Sequence, residues 1–121
     1  MDCGIGTDII EVKRVEQAIQ RFGSRFLDRL FCEEEQIYCN RHKESARHFA
    51  GRFAAKEAIV KALGTGFRDG VTWLDITISN DPLGKPIVTF SNALKQKFNS
   101  PTILISISHC REYATAFAIA S

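Results

Sequence analysis

Two carboxylates stand where charge is unusual, and they are the first residues of the chain with chemical potential. Glu57 falls within Glu44–Gly64, whose periodicity predicts one helix with an apolar stripe through Phe49, Phe53, Val60 and Leu63. At about 100° of rotation per residue, Glu57 projects close to that stripe, beside Ala50 and Phe53. Lys56 flanks the other side of the stripe, and Lys61 follows Glu57 at i+4. Asp8 sits inside a short apolar run, on the same face as Gly4 and Gly6 if Cys3–Ile10 is a strand. Charges go to a packed face when they are paired or when they bind a ligand or metal. Two acids leave most of a Mg²⁺ octahedron open to water and phosphate oxygens, which suits phosphoryl-type transfer. Arg52, Lys56 and Lys61 on the same helix are suited to hold several phosphates. A plainer reading buries Asp8 in a salt bridge, pairs Glu57 with Lys61 and solvates the cations; spacing alone leaves both open.

Other positions carry weaker signals. Gly64-Thr65-Gly66 looks like a phosphate loop but follows a helix and lacks a Gly-Lys-Ser/Thr ending, so a helix cap is the better reading. Lys85 leaves a turn at Asp81–Pro86, and His109 ends a strand. His42 and His48 have no partner pattern and read as surface residues. Arg14, Arg21 and Arg25 make a basic stripe opposite the apolar face of the first helix. That stripe is either a solvated face or a dock for an acidic partner.

The elements that must position these residues read in the order β-α-α-α-β-β-α-β-β. A strand at Cys3–Ile10 precedes a helix from about Glu11 to Phe22, with a stripe through Val12, Val15, Ala18, Ile19 and Phe22. Arg25–Leu30 forms a helical turn or two, Glu33–Asn40 a short helix, and the long helix follows. Trp73–Ile78 and Pro86–Phe90 alternate as strands about a turn at Asn80–Gly84. Ser91 caps a short helix at Asn92–Phe98, and Thr102–Ser108 and Tyr113–Ala120 form a hairpin. Glycine in the first strand marks close approach of another backbone or a ligand. The fold class is α+β, a largely antiparallel sheet packed on one long helix.

Composition bounds the function. The 121 residues suit one domain, 1–121, and 45% hydrophobic with 25% charged is globular. A net charge of +2 and no aromatic platform among the basic residues argue against nucleic-acid binding. The four cysteines lack any zinc spacing and read as reduced thiols. No apolar run of membrane length and no signal-peptide pattern is present, which points to a cytoplasmic protein.

The motifs are specific in their order. Gly4-Ile-Gly-Thr-Asp8-Ile-Ile-Glu11, Phe31–Glu35-Gln-Ile-Tyr38-Cys39, Arg52-Phe-Ala-Ala-Lys56-Glu57-Ala58 and Lys61-Ala-Leu-Gly64-Thr-Gly66 come first. Trp73-Leu-Asp-Ile76, Asp81–Gly84-Lys85-Pro86 and Ser106-Ile-Ser-His109 follow. The series resembles the bacterial holo-[acyl-carrier-protein] synthases, short single-domain 4′-phosphopantetheinyl transferases, over nearly the whole chain. The resemblance implies transfer of 4′-phosphopantetheine from coenzyme A to a serine of apo acyl carrier protein in fatty acid biosynthesis. The other product is adenosine 3′,5′-bisphosphate. It implies that Asp8 and Glu57 hold Mg²⁺ and that Lys61 contacts phosphate. It leaves Glu57, Glu35 and a metal-bound water open as the base. It implies a nucleotide pocket of Arg52, Lys56, Lys61, Gly64, Lys85, Pro86 and His109, and a carrier-protein dock at Arg14, Arg21 and Arg25. It implies a homotrimer with sites between subunits. Thr7 and Cys32 depart from the family pattern, which bears on carrier preference. A catalytically silent binder of coenzyme A or of a carrier protein is the alternative, against which the intact Asp8/Glu57/Lys61 set speaks.

Overall fold

The computed structural model describes residues 3–121. Strand β1 (Gly4–Glu11) leads into four helices, α1 (Val12–Phe22), α2 (Ser24–Leu30), α3 (Glu33–Asn40) and α4 (Ser45–Leu63). A hairpin of β2 (Ile76–Asn80) and β3 (Pro86–Phe90) follows, then α5 (Asn92–Lys97), and a second hairpin of β4 (Ile103–His109) and β5 (Tyr113–Ala120). All strand pairs are antiparallel. The α+β architecture is as the sequence predicts, with three local differences. Ser24–Leu30 is a full helix, so four helices separate β1 from β2. The strands form two sheets, β1-β5-β4 and β2-β3, and not one. Trp73–Asp75 is a 3₁₀ turn and not the start of a strand. There, Asp75 Oδ2 accepts from the backbone N–H and hydroxyl of Thr72, while Oδ1 accepts from Ser91. That satisfied cap outweighs the apolar alternation.

Helix α4 lies against the three-stranded sheet at unusually short range. An added Cβ at Gly4 would sit 1.9 Å from the carbonyl oxygen of Ala62, and one at Gly6 would sit 1.9 Å from that of Ala58. The two glycines therefore let β1 rest directly on the helix backbone. Strand β5 matches this thin interface with Ala114, Ala116, Ala118 and Ala120, all buried. Ile5, Ile9, Leu104 and Phe117 point the other way and stay exposed, at 64%, 66%, 61% and 44%.

The opposite side of α4 is also covered. Phe49 and Ala50 meet Val12, Val15, Leu30, Phe31 and Cys39. Ala54, Ala55, Ile59 and Val60 pack with Ile76, Ile78, Phe90 and Leu94. Between these two clusters lies an ion pair with no exposed side-chain surface. Lys56 Nζ donates to Glu35 Oε1 at 2.8 Å, to the Leu30 carbonyl at 2.7 Å and to the Trp73 carbonyl at 3.1 Å. Glu35 accepts further from the backbone N–H groups of Cys32 and Ile78, both at 2.9 Å. All three ammonium protons and both carboxylate oxygens are used, as a buried pair requires.

A methyl group at residue 6 has no space without parting β1 from α4. Gly6→Ala should lower stability by about 3 kcal/mol or more, read as a shift in the urea midpoint. Lys56→Met leaves Glu35 buried and unpaired, and should cost about 3–5 kcal/mol in the same measurement. An unchanged midpoint would show that the interior relaxes around either change.

Candidate active site

Asp8 reaches the α4 side of the sheet because side chains alternate along β1, and Gly4 and Gly6 share its face. Its carboxylate remains 17% exposed at the rim. Lys61, at the exposed end of α4, donates to Asp8 Oδ1 at 3.2 Å and to the Thr7 carbonyl at 2.9 Å. Lys61 thus pairs with Asp8, across the helix–strand contact, and not with Glu57. Glu57 lies one turn earlier on α4. Its carboxyl is held above the usual carboxylate range, first by burial, then by the Asp8 carboxylate, and Lys61 offsets this in part. Two acids therefore share one neighbourhood with one lysine and repel each other.

That donor set fits a hard divalent cation. Oxygen ligands of this type suit Mg²⁺, which retains several waters and takes few carboxylates. Among the described residues no cluster of three histidine, cysteine or acidic side chains forms a fuller metal cage. A cation would relieve the Asp8–Glu57 repulsion that Lys61 compensates only in part.

A second cluster lies towards the other end of α4. Arg52 is buried, its guanidinium lies 4.1 Å from the centre of the Tyr38 ring, and it donates to Asn80 Oδ1. Its Nε has no partner. Arg52, Tyr38, His48, Asn80, Pro86 and His109 line a cavity of about 160 Å³. Arg52 and Glu57 are five residues apart, about 7.5 Å along the helix axis. A larger cavity, about 860 Å³, lies elsewhere beside α3, and Arg41 is the one cation among the residues lining it. It lacks the converging cations a phosphate needs.

The residues expected from sequence divide accordingly. Asp8, Glu57 and Lys61 come together at the β1–α4 contact, and Arg52, Pro86 and His109 come together in the smaller cavity. Lys56 does not join them: it is buried and spends every donor inside the fold. Glu35 is likewise sealed, so it offers no oxygen to a substrate proton. Lys85 is exposed beside Pro86, and Gly64 caps α4 in the left-handed conformation, φ 81°, without lining the cavity. Arg14, Arg21 and Arg25 are exposed on α1 and α2, and Arg25 borders a groove with Phe22, Phe26 and Trp73. His48 and His42, read as surface residues, are packed: their rings stack at 3.7 Å. Tyr38 and Asn80 also belong to the cavity; neither was expected there, although Tyr38 falls within one of the family motifs and Asn80 opens a turn. The four cysteines are free, and burial pushes the Cys39 thiol up to about 12, so it is inert.

Comparison with known proteins decides the family. The model of the 4′-phosphopantetheinyl transferase superfamily matches residues 4–118. The chain belongs to this family. It is 60% identical over 119 residues to the holo-[acyl-carrier-protein] synthase of Protochlamydia amoebophila, covering 98% of each chain. It is 48% identical to the synthase of Chlamydia pneumoniae, over 96% of this chain and 94% of that one. The crystal structure of the Helicobacter pylori holo-[acyl-carrier-protein] synthase in complex with coenzyme A superposes with a TM-score of 0.88. That match has 36% identity and covers 97% of this chain and 99% of that one.

An acid whose affinity for protons rises on folding destabilises the fold once it ionises. The metal-free protein should therefore lose stability as pH rises through the raised Glu57 range, and Glu57→Gln should melt higher than the parent above it. Because a ligand carboxylate must be ionised, the gain in melting temperature from added Mg²⁺ should grow with pH in the parent and vanish in Glu57→Gln. An equal Mg²⁺ gain in both proteins would remove Glu57 from the metal site.

Proposed function

We propose that the chain transfers 4′-phosphopantetheine from coenzyme A to a serine of apo acyl carrier protein, with Mg²⁺ held by Asp8 and Glu57. The observation that carries this is that Asp8 from a strand and Glu57 from a helix share one neighbourhood, with Lys61 paired to Asp8 and a cationic cavity further along the same helix. The relatives named for this synthesis, and the coenzyme A complex of one of them, support the choice of substrates.

In the reaction the serine oxygen bonds to the β-phosphorus of coenzyme A, and the bond from that phosphorus to the bridging oxygen of the α-phosphate breaks. Adenosine 3′,5′-bisphosphate leaves, and the serine gives up its proton. Arg52 and His109 hold the nucleotide end, and Lys61 supplies a cation to the phosphates. When bound, Mg²⁺ neutralises charge on the diphosphate. With Glu35 sealed in the core, the raised proton affinity of Glu57 favours it as the carboxylate that receives the serine proton. Lys56 takes no part in binding and anchors the helix that carries Glu57.

The family resemblance implies a homotrimer with sites between subunits. Ile5, Ile9, Leu104 and Phe117 are exposed apolar side chains on the outer face of the three-stranded sheet, and they support an interface between copies there. Arg14, Arg21 and Arg25 then receive the acidic carrier. No helix among the described residues is long and apolar enough to cross a membrane. The family resemblance implies a cytoplasmic role in fatty acid synthesis. The silent-binder reading has no observation in its favour, since such a protein would not need the repelling acids.

Incubation with apo acyl carrier protein, coenzyme A and Mg²⁺ should add one phosphopantetheine to the carrier by mass spectrometry, and chelator should abolish it. A folded protein that binds coenzyme A yet shifts no carrier would support the silent binder. Full turnover in excess chelator would instead exclude the metal.

A further inference from the structure

Three imidazoles run in a row along the cavity that contains Arg52. His42 stacks on His48 at 3.7 Å with planes 15° apart, and His48 meets His109 at 5.0 Å, edge to face. His48 and His109 line the cavity, and His42 backs His48 with its Nε2 buried and unpartnered. The Nε atoms of Arg47 and Arg52 are also buried without partners. Three buried polar atoms without partners in one cluster are unusual, and two of them are arginine N–H donors suited to an anion.

The charges that act on His48 and His109 are all of one sign, although Glu44 stands at the start of α4 and Glu112 lies in the β4–β5 turn. From α3 and the following turn come Tyr38, Cys39 and Arg41, besides His42 itself. From α4 come Arg47 and Arg52, and from the end of β4 comes Cys110. The β2–β3 hairpin contributes the Asn80 amide, while its Asp81 carboxylate is engaged with the backbone N–H groups of Leu83 and Lys85. Neither of the two ion pairs among the described residues touches the row. Burial first, then His42, His109 and the two arginines, lowers His48 to about 4, and burial with Arg47 and His42 lowers His109. At neutral pH the free protein therefore keeps the His48 and His109 rings uncharged.

We propose that His48, backed by His42, is a specificity-determining residue for the 3′-phosphomonoester of coenzyme A, and that the imidazole row takes up a proton when this anion binds at Arg52 and His109. The inference rests on the cavity being the nucleotide end of the site proposed above. A dianion beside His48 supplies the negative charge the cluster lacks, so the charged ring becomes the stable one. Preference for coenzyme A over 3′-dephospho-coenzyme A then increases with acidity. Ionisation of the monoester itself, with a pKa of about 6, works in the opposite direction, so the imidazoles are identified by comparing parent with variant.

Binding of both nucleotides to the Mg²⁺-loaded protein is measured by calorimetry from about pH 8 to about pH 6. In the parent the preference for coenzyme A should grow at least about threefold, within the limit of tenfold per pH unit for each proton taken up. His48→Gln keeps a donor but cannot become charged, so its preference should be smaller and should not grow. His42→Gln should weaken the growth. Independently of any variant, titrations in buffers of different ionisation enthalpy should count more protons taken up with coenzyme A than with the dephospho compound. They are made at about pH 7, where the free monoester is mostly dianionic. Equal proton counts, or the same pH dependence in parent and His48→Gln, would overturn the inference while leaving the nucleotide site intact. Equal binding of the two nucleotides at every pH would overturn both.

Discussion

Contact between the backbone of β1 and the backbone of α4 governs the rest of the molecule. Side chains normally hold a helix well clear of a sheet, and here Gly4 and Gly6 remove them. The carbonyls of Ala58 and Ala62 occupy the space where Cβ atoms would stand. A short polar side chain on the strand can then meet residues of the helix, which is how Asp8 comes to share a neighbourhood with Glu57 and Lys61. The alanines of β5 extend the same close spacing across the sheet. With a wider gap the two acids would each be solvated separately, and their repulsion would disappear.

Adjacent residues of α4 show opposite electrostatic solutions. Lys56 turns inward to Glu35, where every donor and acceptor is matched and the pair ties α3, α4 and β2 together. Glu57 turns to the rim, where Asp8 opposes it and the balance is left open. Similarly, Arg52 and the histidines near it collect positive and neutral rings with no acid to answer them. The interior is thus settled internally, while both ends of the proposed site lack a charge that a ligand would bring. Unmet charge of this sort weakens a fold slightly and prepares it to bind.

Much of this was legible in the sequence, for reasons specific to each element. Asp8 and its glycines could be placed together because the two-residue period of a strand is strict. The hairpin at His109–Glu112, the Gly64 cap and the Ser91 cap follow from local turn and cap chemistry. The role of Lys56 was not legible. Helix α4 is buried nearly all round, so a stripe of large apolar residues does not say which charged neighbour goes inward and which outward. Glu35, its partner, is 21 residues away in the chain. His42 and His48 approach across a turn, a separation that matches no helical or strand period. The 3₁₀ turn at Trp73–Asp75 depends on the Thr72–Asp75 cap, which competes with an alternation that looks like strand.

The two charged clusters on α4 also differ in how they can drift. A buried ion pair can be exchanged, by two concerted substitutions, for apolar residues of similar volume with little loss and sometimes a gain. Glu35 and Lys56 therefore have a route of replacement that preserves the fold, although each intermediate along it is costly. Asp8 and Glu57 have no such route, because an apolar pair at the rim would satisfy the fold and nothing else. A lineage could rewrite the foundation of this helix while its neighbouring residue stays immovable.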